Sequence, residues 1–145
     1  MESISGEWSG HFTYGPGYDK LRGTSVPFTL FLEDLGDDQF KGTCIDEETI
    51  ERKIPPAAVK GFLEDNYVSF IKQYENLFKM DKQGNKVPVK SLEVPELRYE
   101  GSWDPATELF TGIWELEGKM TLFGIGFSHN RIIGEGTWEM SKKKV

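Results

Sequence analysis

The chain has 145 residues, enough for one domain with an apolar core that needs no disulfide staples. Aromatic residues make up 13% of it, too many rings for a disordered chain even with 28% charged residues. The net charge of −7 repels phosphate backbones and anionic lipid, which argues against nucleic acid or membrane partners.

Gly6 to Tyr14 alternates with period two and puts Trp8, Gly10, Phe12 and Tyr14 on one face of a strand. Gly15-Pro16-Gly17 ends it with turn chemistry, and a polar loop follows to Ser25. A second strand, Val26 to Glu33, turns Val26, Phe28, Leu30 and Leu32 inward. Asp34 to Asp38 reads as a solvated hairpin, since it lacks the spacing and closing glutamate of a calcium loop. The third strand, Gln39 to Asp46, carries Phe40, Gly42 and Cys44, with Asp46 at its end on the inward parity. Glu47 to Pro56 is a charged connection with room for one helical turn. Strands at Ala58 to Glu64 and Tyr67 to Glu75 meet through Asp65-Asn66.

Residues 76–96 read as a long loop or flap dotted with lysines, with a candidate edge strand near Val87 to Leu92. Leu97 to Asp104 and Leu109 to Leu116 flank a turn at Pro105 and place Leu97, Tyr99, Gly101, Trp103, Phe110, Gly112 and Trp114 inward. Lys119 to Ser128 is expected as a strand broken by Gly124 and Gly126. Ser128 to Arg131 reads as a loop at a barrel end, and Glu135 to Ser141 as the last strand, with Trp138 and Met140 inward.

The recurring unit is aromatic, spacer, glycine, spacer, aromatic, as in Tyr99-Glu100-Gly101-Ser102-Trp103 and Phe110-Thr111-Gly112-Ile113-Trp114. Rings and glycines on one face, with polar residues on the other, predict a strongly curved antiparallel sheet. The fold class is all-β: a closed up-and-down meander barrel of eight or nine strands in one domain, with a two-sheet β-sandwich as the alternative. Trp8, Phe12, Tyr14, Phe28, Phe40, Phe62, Tyr99, Trp103, Phe110, Trp114 and Trp138 are expected to converge inside. They make either a packed core or the lining of a ligand site.

Gly6-Glu7-Trp8 at the start of such a meander resembles the calycin superfamily of lipocalins, fatty-acid-binding proteins and avidin-like barrels. The opening Gly6-Glu7-Trp8-Ser9-Gly10 with Tyr14-Gly15-Pro16-Gly17-Tyr18 is also similar to a small bacterial family of unassigned activity. The resemblance implies a barrel that holds a small apolar ligand. In lipocalins the first-strand Trp packs beneath a late-strand Arg, for which Arg131 is the candidate here; the Thr-Asp-Tyr motif and paired cysteines are absent.

No catalytic set is legible. His11 takes the outward parity, and His129 stands in the expected loop, as a surface residue or a cap or haem ligand at the mouth. Two histidines without a carboxylate cluster make no zinc or iron site, so neither metal nor other cofactor is expected. Glu100, Glu115, Glu135 and Glu139 face outward, and no Gly-x-Ser-x-Gly elbow or phosphate loop occurs. An enzyme would need Asp46, His129 and Arg131 to meet in one cleft. Cys44, the sole cysteine, reads as a small buried hydrophobe. Without a leader pattern or an apolar span, the sequence is expected to be cytoplasmic.

The functional expectation is therefore a barrel that binds a small apolar or aromatic molecule. Tyr14, Tyr99, Trp103, Trp114 and Trp138 are its candidate ligand-binding residues, and 76–96 is a flap over its mouth. The alternative is a non-catalytic interaction or homo-oligomeric module with a filled core, for which Phe31 and Ile113 on the outer face are interface candidates.

Overall fold

In the computed structural model, which describes residues 3–18, 20–52, 55–74, 78–80, 82–84, 86–88, 96–122 and 127–144, alternating sequence has become antiparallel sheet. The elements are β1 (Gly6–Tyr14), β2 (Ser25–Gly36), β3 (Gln39–Asp46), α1 (Glu47–Arg52), β4 (Ala57–Glu64) and β5 (Tyr67–Gln73), then β6 (Phe78–Met80), β7 (Lys86–Pro88), β8 (Glu96–Asp104), β9 (Leu109–Leu122) and β10 (Phe127–Lys142). Eight strands close into a barrel in the order β1-β10-β9-β8-β5-β4-β3-β2, an up-and-down path in which β1 pairs with both β2 and the last strand. β6 and β7 form a separate two-stranded ribbon.

Rings and glycines share the rungs around the barrel as they share the inner face of each strand. One rung runs Phe12, Trp138, Gly112, Gly101, Val68. The next runs Tyr14, Gly136, Trp114, Tyr99, Phe70, Gly61, Phe40. An interior this narrow cannot seat a ring at every inward position, so bare α-carbons take some of the places beside the rings. A Cβ on Gly112 would come within 2.6 Å of the Gly101 α-carbon, and one on Gly101 within 2.7 Å of the Trp138 ring.

The interior expectation holds at Trp8, Phe12, Phe28, Phe40, Tyr99, Phe110, Trp114 and Trp138, all buried. Phe62 is a correction. β4 enters with Ala57 and Val59 buried, so Gly61 takes the next inward position and Phe62 stands outside, 39% exposed and 6.0 Å from the Tyr67 ring. A second correction concerns the C-terminal third. β9 continues to Leu122 and β10 begins at Phe127, so His129 and Arg131 lie on a strand opposite Met120 and Gly118, not in a loop. β10 keeps its pairing with β9 there by a bulge between Ile132 and Gly134. The expected breaks at Gly124 and Gly126 lie outside the described residues. So does most of the expected flap, apart from the β6–β7 ribbon and residues 82–84.

The two ends differ. Ile4 and Trp8 are buried at the end that carries the Asp37-Asp38 and Asp104-to-Leu109 turns, and the Trp8 indole donates to the Ile4 carbonyl at 2.8 Å. This end carries a two-residue hairpin at Asp37 and Asp38, whose φ values of 53° and 64° match the twist of the flanking strands. The opposite, helix end carries the β1–β2 loop and α1. There β9 and β10 stay paired beyond the points where β8 and β1 leave them, at Glu117 and Gly136. Among the described residues no helix is long and apolar enough to cross a membrane.

The close approach at Gly112 makes a test. Gly112→Ala is expected to destabilise the barrel by about 3 kcal/mol, the upper range for overpacking. Gly17→Ala, with no atom within 4 Å of the new methyl, should change stability by less than about 1 kcal/mol. Urea unfolding midpoints that moved equally in both variants would refute the account of the rungs.

Candidate functional site at the helix end

β3 outruns β4 on the helix side: Ala57, the first residue of β4, pairs with Cys44, two positions short of Asp46. The Asp46 carboxylate is therefore free of a β4 neighbour, and side chains from β5 reach across to it. Lys72, on the inward parity of β5 after Val68 and Phe70, places its ammonium 3.1 Å from Asp46 Oδ2. Lys72 is 1% exposed and Asp46 2%. The Tyr74 hydroxyl donates to the same carboxylate oxygen at 2.6 Å.

The other carboxylate oxygen belongs to α1. Asp46 Oδ1 accepts the Thr49 amide at 2.9 Å, and the Thr49 hydroxyl donates to the Asp46 carbonyl at 2.7 Å. Asp46 is thus the cap of α1 and the counter-ion of Lys72 at once. The ammonium also lies over three rings, at 4.9 Å from Phe12, 5.1 Å from Tyr74 and 5.7 Å from Tyr99. The negative faces of these rings replace part of the water that burial removed.

Burial alone would push the Asp46 carboxyl up; the Lys72 ammonium, the Tyr74 hydroxyl and the Thr49 amide outweigh it and hold it below its usual range. Burial alone would likewise drive Lys72 toward the neutral amine. Its ionisable neighbours Tyr99, Cys44, Tyr74 and Asp46 outweigh that and hold the ammonium well above its ordinary value. At neutral pH only Asp46 among them is charged, so Asp46 keeps the ammonium there. Burial pushes Tyr99 up to about 12 and the Cys44 thiol up to about 11, which leaves both neutral.

Beside Lys72 the side chains of Phe28, Leu30, Cys44, Phe70 and Tyr99 pack with no space among them for a water molecule. A second cluster of rings stands at the same end of the barrel. Tyr14 meets Tyr18 at 4.8 Å and Trp114 at 5.8 Å, edge to face. Tyr18, from the β1–β2 loop, lies over Gly134 of β10.

The sequence-derived candidates fall into separate groups. Tyr14 and Trp114 stand together at the helix end, and Trp114 donates to the Thr13 carbonyl at 3.2 Å. Tyr99 and Trp138 pack at mid-barrel, 5.7 Å apart, with Tyr99 stacked on Phe70 at 4.8 Å. Trp103 is at the opposite end against Trp8 and Phe110, where it lines an open cleft with Pro105, Leu109 and Lys142. Trp8 pairs with Lys142, far along β10 from the position of Arg131, and the Lys142 ammonium donates to the Ser3 carbonyl. His11 is on the outer wall, 3.3 Å from Glu139. Among the described residues no three His, Cys, Asp or Glu side chains gather as a metal site would require.

Asp46 was legible from its parity. Lys72 was missed, although the same count from Val68 and Phe70 places it inward. Compared with known protein families, curated proteins and solved structures, the chain matches none.

The pair sets a stability prediction. Lys72→Met leaves a buried carboxylate without its cation and is expected to cost about 3–5 kcal/mol, whereas Asp46→Leu with Lys72→Met recovers most of that loss. The folded carboxyl sits below its unfolded value of 3.8, so its stabilisation is complete above that value and fades as pH falls through the folded one. The stability gap between the native chain and Asp46→Asn should therefore begin to narrow below about pH 4. A gap that stayed constant in urea titrations from pH 7 to pH 3 would contradict the ion pair.

Proposed function

We propose that the protein is a calycin-like, non-catalytic barrel that binds a small apolar or aromatic molecule through its helix end. The observation that carries this reading is the Asp46–Lys72 pair, buried at the helix end with its ammonium over the rings of Phe12, Tyr74 and Tyr99. A buried ion pair adds little stability over well-packed hydrophobes, so its presence in an aromatic core favours a binding purpose. Small-ligand sites are mostly apolar with a few fixed polar groups, and this end of the interior has that composition. A cytoplasmic setting belongs to the proposal, supported by a fold whose single thiol is buried and unpaired.

Trp114 is the reporter. A panel of lipids, retinoids, haem and aromatic acids is to be screened by tryptophan fluorescence and thermal melting. A true ligand at one hundred times its dissociation constant should stabilise by about 2.7 kcal/mol, or about 5–10 °C. A panel that neither quenches emission nor raises the melting temperature would sink this reading.

A second reading is an interaction or homo-oligomeric module, favoured by Phe31 and Ile113, which are 43% and 50% exposed on the outer wall. Light scattering after size exclusion tests it: a dimer that Ile113→Lys returns to monomer supports the module, and a monomer at all concentrations removes the homo-oligomer.

A further inference from the structure

Lys72 is the innermost charge of the helix end, and what neutralises it is a side chain of the chain itself. Asp46 is the last residue of β3, at the edge of the barrel wall, and its carboxylate is also bound by α1 and Tyr74. The charged and titratable groups around the ammonium are Asp46 from β3, Cys44 from the same strand, Tyr99 from β8 and Tyr74 beyond the end of β5. Only the first is an anion at neutral pH. Apolar side chains, among them Phe28, Leu30 and Phe70, pack beside the same ammonium with no space for a water molecule, so a ligand enters only as they part.

We propose that Lys72 is the anchor for a ligand oxyanion, and that Asp46 is an internal stand-in which such a ligand displaces. This deepens the apolar-ligand reading and rests on it. The occupant is an apolar or aromatic molecule that ends in a carboxylate or a chemically similar oxyanion. The exchange is one anion for another, so Lys72 keeps a single counter-ion throughout. The displaced Asp46 turns to water at the edge of the wall, where desolvation no longer opposes its charge. Because Asp46 Oδ1 holds the Thr49 amide, its departure also frees the first turn of α1. α1 then gives way as the ligand enters. Burial of the ligand's apolar body, rather than the ion exchange, drives the process.

The experiment uses the full chain and two probes with the same ring system, anilinonaphthalene sulfonate and its uncharged parent N-phenylnaphthylamine. Native protein should bind the sulfonate about tenfold more tightly than the parent, as a charge-assisted contact requires. Lys72→Met should abolish that preference. Asp46→Asn keeps an oxygen for Thr49 but removes the competing anion, and should tighten the sulfonate by about tenfold with little effect on the parent. Near-UV circular dichroism establishes that each variant keeps its packed core, and the comparison of the two probes on native protein needs no variant. Equal affinity for the probes, or no gain in Asp46→Asn, overturns the anchor and leaves an apolar binder. Failure of both probes to bind any of the three proteins overturns the anchor together with the reading beneath it.

Discussion

Indole against bare backbone is the contact on which the barrel depends. Trp138 pairs with Gly112 and reaches Gly101 beyond it, and its N–H donates to the Glu100 and Ile113 carbonyls at 3.1 and 2.9 Å. Trp114 lies against Gly136 and donates to the Thr13 carbonyl. A methyl at Gly101 or Gly136 would push the ring off the wall and strand an indole N–H. The glycines thus do two things that look opposed. They let the sheet curve tightly, and they let large rings lie flat enough for the curved interior to be filled.

The ion pair at the helix end is a different kind of constraint. It sits where the wall is incomplete, because β4 starts two residues below the end of β3. The carboxylate that the gap exposes is met by groups from β5, from the segment after it and from α1. Two stretches of the chain far apart in sequence, Asp46 to Thr49 and Lys72 to Tyr74, are therefore registered on one residue. Such a hub is sensitive to charge, since loss of one partner leaves an ion in a poorly solvating place.

Much of the architecture was legible because strand periodicity is local. Alternation from Gly6 to Tyr14 and from Leu97 to Leu116 places residues on the correct faces, and closure follows from curvature. What was not legible depends on neighbours. Phe62 is aromatic, and an aromatic residue in a half-apolar strand reads as core until the parity of Ala57 and Val59 is used. The long β9–β10 hairpin was hidden because Gly118 and Gly134, which end no strand here, look like breaks in the pattern. Lys72 was passed over because a lysine in an alternating strand is usually outside. Only the proximity of Asp46, 26 residues earlier, makes an inward lysine tolerable, and that proximity is a property of the closed sheet.

Cys44, one position pair below Asp46 on the inner wall, is the chain's only thiol and is 1% exposed. Its acidity is weakened by burial, so almost none of it is thiolate near neutrality. An alkylating reagent reaches it only after the wall next to the ammonium has parted. The rate at which the folded chain takes up such a reagent is thus a stopwatch for spontaneous opening of the interior, present in the sequence without any label being introduced.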